Sequence, residues 1–160
     1  MAYSIVLTLH SLVRWVVLIA AVAATVRALM GWFGRREWTG LDNRLGLILT
    51  GSLDVQFLLG LILYIFLSPN TRAAFQDLGA AMSNGAVRFW ALDHVVLMLV
   101  AVVLGHVGRA LSRRAEEATA KHQQAAILYG LASVAMLLAM PWPFLSYGRP
   151  LLRLVGLVWP

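Results

Sequence analysis

The chain has 160 residues and no cysteine, so disulfides, thiolate metal sites and thioether-linked haem are excluded. Charge is scarce as well. Charged residues make up 12% of the sequence and only seven are acidic, whereas a soluble domain carries about 25% charged residues. There is no Gly-rich phosphate loop, no HExxH zinc motif and no plausible nucleophile triad, so the chemistries that rest on them have little support. No internal repeat is visible, and the chain is short for a transporter built from repeats and broken helices.

What the sequence has instead is hydrocarbon. Hydrophobic residues account for 61% of it, with a mean hydropathy of +0.79. Four apolar runs predict helices over about 4–32, 45–67, 88–114 and 118–145. Each reaches the ~20 residues that a helix needs to cross a bilayer core. Strands would have to close a barrel to satisfy their backbone groups, and the alternating pattern of barrel strands is absent. The expected fold is all-α: an integral membrane, up-down four-helix bundle forming one domain over residues 1–160. The first run is too long for a removable signal peptide, has no basic residue before it and carries Arg14 in its middle.

The net charge of +6 reports orientation rather than nucleic-acid binding. Arg27, Arg35, Arg36 and Arg44 surround the first loop, and Arg109, Arg113, Arg114 and Lys121 surround the third. Lys and Arg concentrate in short cytoplasmic loops. Both termini are therefore expected on the outer, periplasmic side, together with Arg72, Arg88, Arg149 and Arg153. The basic loops would also attract anionic lipid.

Punctuation along the chain is sparse. Thr39-Gly40-Leu41-Asp42-Asn43 reads as a turn into helix 2, and Ser68-Pro69-Asn70 closes that helix. Residues 71–87 have room for a short interfacial helix. LSRRAEEATAKHQQAA contains no Gly or Pro, so helices 3 and 4 should run on to a tight turn near Arg114. The PWP at residues 141–143 should kink or end helix 4. Trp32, Trp38, Trp90, Trp142 and Trp159 suit an interfacial belt, while Trp15 lies deeper and should pack on a neighbour.

Against this apolar background the intramembrane polar groups stand out, because such groups are costly in lipid and mark function. Bundle spacing places His10, Arg14, Val17, Ala21 and Ala24 on the inner stripe of helix 1. On helix 3 the same spacing selects His94, Met98, Ala101, Gly105 and Gly108. Plain helix packing explains the small residues. The histidines are different: both lie about 8–9 Å inside the outer boundary, on helices that run the same way and sit diagonally in the bundle. Two imidazoles so placed suit the axial positions of a b-type haem. His106 and His122 lie at similar depth about a turn near Arg114 and form a second, weaker pair. His106 is rotated about 120° from His94, and His122 sits in polar KHQQ, where solvent exposure is the simple expectation.

Other polar residues fall around these. Arg14 and Asp54 are expected near mid-membrane on adjacent helices, as a register-fixing ion pair, a cofactor contact or a proton path. Gln56 adds a polar contact near the site or an interhelical hydrogen bond. Asp93 should find its partner on another helix rather than in His94, since neighbours on a helix do not face each other. Arg88 either meets a haem propionate or snorkels to the interface. Gly60 in FLLGLILY and the stripe of Tyr129, Ser133 and Met136 read as packing.

LHSLVRW, LDNRLGLIL, RFWALDH, HVGR and PWP together resemble a family of small bacterial four-helix membrane proteins described as cytochrome b-like or b561-like. The similarity spans roughly residues 9–153. It implies a multi-pass protein of the bacterial inner (cytoplasmic) membrane that carries one or two b haems and exchanges electrons with quinol or a protein partner. It also implies His10 and His94 as ligands of one haem and His106, with His122, as ligands of a second. Two other readings remain open at this stage. One is a cofactor-free accessory subunit of a larger respiratory or photosynthetic complex, or a homo-oligomer. The other is a proton- or ion-conducting element using Arg14, Asp54 and Asp93.

Overall fold

A computed structural model describes residues 1–154 and 157–159. Helix α1 (Ala2–Phe33) leads to α2 (Gly40–Leu67), the short α3 (Pro69–Gln76) and α4 (Leu78–Ser83), then α5 (Gly85–Arg114) and α6 (Ala118–Ala139). The four long helices are each apolar and long enough to cross a membrane. In the bundle, α1 packs on α2 and α6, and α5 packs on the same two. The chain therefore runs up and down around a square, with α1 and α5 diagonally opposed.

Burial follows an inverted pattern. Ala21 is 1% exposed, whereas Ile19, two residues away, is 68% exposed. Large apolar side chains cover the outside and small ones the inside, as expected when lipid is the solvent and close backbone approach drives helix association. Val17, Ala21, Ala24 and Ala28 of α1 line the core against Ala101 of α5 and Tyr129 and Met136 of α6. Gly105 of α5 admits Leu53 of α2: a methyl group on Gly105 would come within 2.8 Å of Leu53 Cδ1. Ser133 of α6 lies 3.4 Å from Thr25 of α1, hydroxyl to hydroxyl.

The ends of the helices have local causes. α2 begins at Gly40, five residues before the expected start, because Thr39 and Asp42 cap it. The Asp42 carboxylate accepts from the Thr39 backbone N–H and from its hydroxyl, both at 2.7 Å, and so holds the first turn. Asp42 is 4% exposed and also binds the Arg27 guanidinium at 2.8 Å, which ties α1 to α2. Ser68 caps α3, accepting from the Thr71 N–H at 3.3 Å, with Pro69 in the first turn where its missing donor costs nothing. The expected interfacial helix between helices 2 and 3 is thus a pair, α3 and α4. α5 and α6 reverse over residues 115–117, just after Arg114.

α6 ends at Ala139, not at 145. Pro141 forces Met140 into extended backbone (φ −75°, ψ 128°), so the helix stops ahead of the PWP. Beyond it the chain folds back, with the Arg149 N–H donating to Pro141 O at 3.0 Å. It then forms a two-stranded antiparallel hairpin, β1 (Leu152–Leu154) with β2 (Leu157–Trp159). That hairpin is the one departure from all-helical structure among the described residues. The Trp159 side chain lies outside the described residues.

Candidate functional site

α2 and α5 each contain one π-helical turn, Leu63–Leu67 and Phe89–Asp93. Such a turn adds a residue to the helix and re-aims the side chains beyond it, often beside functional sites. Both lie at the same end of the bundle, and Tyr64 Oη in the first donates to Ala91 O in the second at 2.7 Å. His94 is the first residue after the second turn. At this end α1, α2, α5, α6 and the returning tail enclose a cavity of about 150 Å³ that includes His10, His94, Gln56 and Gly60 in its wall. That is on the order of ten times what one water requires.

His10 and His94 are brought together across the bundle diagonal, with ring centres 6.4 Å apart and ring planes at 67°. His94 Nδ1 lies 2.7 Å from the Ala139 carbonyl at the end of α6. A carbonyl only accepts, so this nitrogen carries the proton and Nε2 is left with its lone pair. His10 meets α2 instead: Gln56 Nε2 donates to His10 Nε2 over 3.2 Å. Gln56 Oε1 and His10 Nδ1 are both buried without a partner. An amide offers a donor or an acceptor to the same ring nitrogen, so Gln56 can serve either tautomer of His10.

Gly60, one turn beyond Gln56, makes room for the His10 ring. A methyl group there would come within 3.3 Å of His10 Cε1. The glycine that reads as packing is part of the seat of this imidazole. Gly60→Leu is expected to push the ring out of place and to destabilise the fold by about 1–3 kcal/mol, as overpacking does. Thermal unfolding in detergent checks this, and an unchanged midpoint would show that His10 is not seated on Gly60.

The cavity wall carries three guanidinium-bearing residues, Arg14, Arg149 and Arg153, and no carboxylate among the described residues. Arg14 does not pair with Asp54. It donates to the Leu151 carbonyl and, at 3.5 Å, to Ser11 Oγ, while its Nε has no partner. Trp15, the deep tryptophan, donates to the same carbonyl at 2.9 Å. Arg149 lies over the Trp90 ring, 4.9 Å from its centre, and Tyr147 stacks on Phe89 at 3.9 Å. The tail thus forms a strap across the cavity mouth. Nothing local in the sequence distinguishes Arg149 and Arg153 from ordinary interfacial cations; only the fold-back places them here.

The remaining polar residues take other positions. Asp54 faces outward and accepts from His106 Nε2 of α5 at 2.8 Å. Asp54 and Gln56 are two residues apart, hence about 200° around the helix, and Gln56 occupies the inside. Asp93 pairs with Arg88 at 3.2 Å on its own helix, not with another one. The intervening π turn brings residues five apart into register. Arg88 is consequently half-exposed and engaged outside the cavity. His122 is enclosed, at 0% exposure, instead of solvent-facing. It fits where Gly31 of α1 has no side chain, packs against Trp38 with ring centres 4.8 Å apart and planes tilted by 54°, and reaches Glu37 O at 3.4 Å. His106 faces α2 and His122 faces α1, so they do not form a facing pair.

These features define a multi-pass helical membrane protein with a two-histidine, arginine-rich cavity at one end of the bundle. No family model matches the chain, no curated protein matches it, and no solved structure matches its fold.

Proposed function

We propose that the chain is a membrane-embedded b-type cytochrome that holds one haem b between His10 and His94 and passes electrons to or from quinol or a protein partner. The observation that carries this reading is the 6.4 Å separation of the two ring centres. At that separation an iron between the rings could be held by one nitrogen from each, given metal–imidazole bonds of about 2.1 Å. The other donors suit the same group. His94 is anchored through Nδ1 and presents Nε2, the usual arrangement of a ligating histidine. His10 and Gln56 contain unsatisfied buried atoms that a ligand would engage. Arg14, Arg149 and Arg153 match the two propionates in sign, a role that Arg88, engaged with Asp93, does not take. The cavity is smaller than a whole porphyrin, so a haem would have to displace wall residues, of which Met98 and Met136 are unbranched and adaptable.

When bound, the haem supplies one-electron redox chemistry. The chain fixes the two imidazoles, excludes lipid and water from them, and sets the electrostatic field with its surplus of cations. A single haem is favoured over two because His106 is committed to Asp54 on the outer face and His122 is packed between Gly31 and Trp38. Loop 34–39, with Arg35 and Arg36, and the helix ends that carry Arg109, Arg113, Arg114 and Lys121 would face the cytoplasm of a bacterial inner membrane, which leaves the cavity on the outer side.

A reduced-minus-oxidised optical spectrum of the purified protein tests the reading. The expected result is a Soret band and a b-type α band, with one haem per chain. A colourless protein that co-purifies stoichiometrically with a larger complex would replace it with the accessory-subunit reading.

A further inference from the structure

The proposed haem site leaves one polar pair unused. His106 and Asp54 are hydrogen-bonded at 2.8 Å on the outside of the bundle, with side chains 45% and 49% exposed. Asp54 lies fourteen residues from Gly40 and thirteen from Leu67, the ends of its span. At 1.5 Å per residue that is about 20 Å from either end, the middle of the bilayer. Among the described residues each group has the other as its sole hydrogen-bond partner. One nitrogen of the imidazole and one oxygen of the carboxylate are left facing hydrocarbon, where unsatisfied polar groups cost several kcal/mol.

We propose that the seam between α2 and α5 is the interface with a second copy of this chain, closed around the two His106–Asp54 pairs. Complementarity selects that occupant. An imidazole–carboxylate pair of zero net charge, the form that hydrocarbon favours, has one N–H donor and one acceptor oxygen to spare. A two-fold axis along the membrane normal presents the same pair at the same depth. Each spare donor then meets the other copy's spare acceptor, in a closed ring of zero net charge. An apolar partner helix satisfies neither group. The surroundings allow close approach: Gly51, one turn from Asp54, has open space where a side chain would stand, and Ala110, one turn from His106, is exposed. Small residues at such a seam let backbones come together.

The absence of native cysteine makes the test direct. Gly51→Cys, in otherwise unaltered protein reconstituted in lipid at low protein density, is expected to form a disulfide-linked dimer on mild oxidation. Val26→Cys, on the exposed face of α1, is expected to remain monomeric. Adding Asp54→Asn and His106→Phe to Gly51→Cys should lower the cross-linked fraction by about tenfold, because interhelical hydrogen bonds stabilise such contacts. Unchanged thermal unfolding of the triple variant shows that the loss is one of association, not of folding. A wild-type chain that is monomeric by single-molecule photobleaching overturns the proposal. So does cross-linking that is equal at Val26, or that is indifferent to Asp54 and His106. None of these readouts depends on haem, so failure here and failure of the cytochrome reading are separable.

Discussion

Replacing His94 by alanine is expected to abolish the b-type spectrum of the purified protein, whereas Gln56→Leu should only weaken haem retention. The difference lies in what each residue contributes. His94 is held by α5 just after a π turn and by its bond to Ala139 O, so its free nitrogen is already positioned. No other described imidazole stands on that wall of the cavity. Alanine removes the donor and leaves the Ala139 carbonyl without its partner. His10→Ala should likewise lose the spectrum, because the site would then offer one imidazole where the proposed haem would be held by two. Gln56 touches His10 and orients it, and loss of such outer partners typically costs about 10–100-fold in affinity. Haem-to-protein ratios and the α band of the three variants decide the matter. Full haem content in both histidine variants would remove the ligand assignment.

Asp42→Ala is expected to lower stability by about 3 kcal/mol, with a fall in Tm of about 6–12 °C. This carboxylate joins two structures. It holds the first turn of α2 through the Thr39 N–H and hydroxyl, and it neutralises Arg27 of α1. With it gone, the amide loses its cap, a loss worth about 1 kcal/mol by itself. The Arg27 charge also loses its counterion. Arg27→Met should cost less than Asp42→Ala, because Asp42 keeps its bonds to Thr39. Thermal melting of the two variants in the same detergent gives the comparison. Equal losses would mean that the cap contributes nothing and that the ion pair alone matters.

The spans were legible because length and hydropathy report directly on what a bilayer requires, and α1 and α5 run close to the expected bounds. The approach of His10 to His94 was legible from depth and direction alone. Depth does not specify a face, and there the expectations diverged. Asp54 and Arg14 share a level, yet Gln56 occupies the inside of α2, and two residues of separation turn Asp54 outward. The 120° offset between His94 and His106 already said that His106 leaves the axis. His122 looked exposed because its sequence neighbours are polar. Its actual setting was written elsewhere, in the stripe Val17, Ala21, Ala24, Ala28, Gly31, whose regular steps put a glycine inside. T-x-x-D before an apolar run is a capping box, which explains the earlier start of α2. Arg149 and Arg153 had no local signal at all, since a return of the chain across its own bundle is a tertiary event.

The strap sets an order on biogenesis. Arg14 and Trp15 share the Leu151 carbonyl across 137 and 136 residues of chain. At ribosomal rates of about 5–20 residues per second, the guanidinium emerges roughly 7–27 s before its acceptor exists. The cavity itself exists only once α6 has been made to Ala139, and it then stands without its outer wall until Leu151 follows. Once the tail docks, the same mouth is closed by the chain itself. The haem proposed above would enter most readily before the tail docks, because afterwards the Arg14–Leu151 contact lies across the mouth.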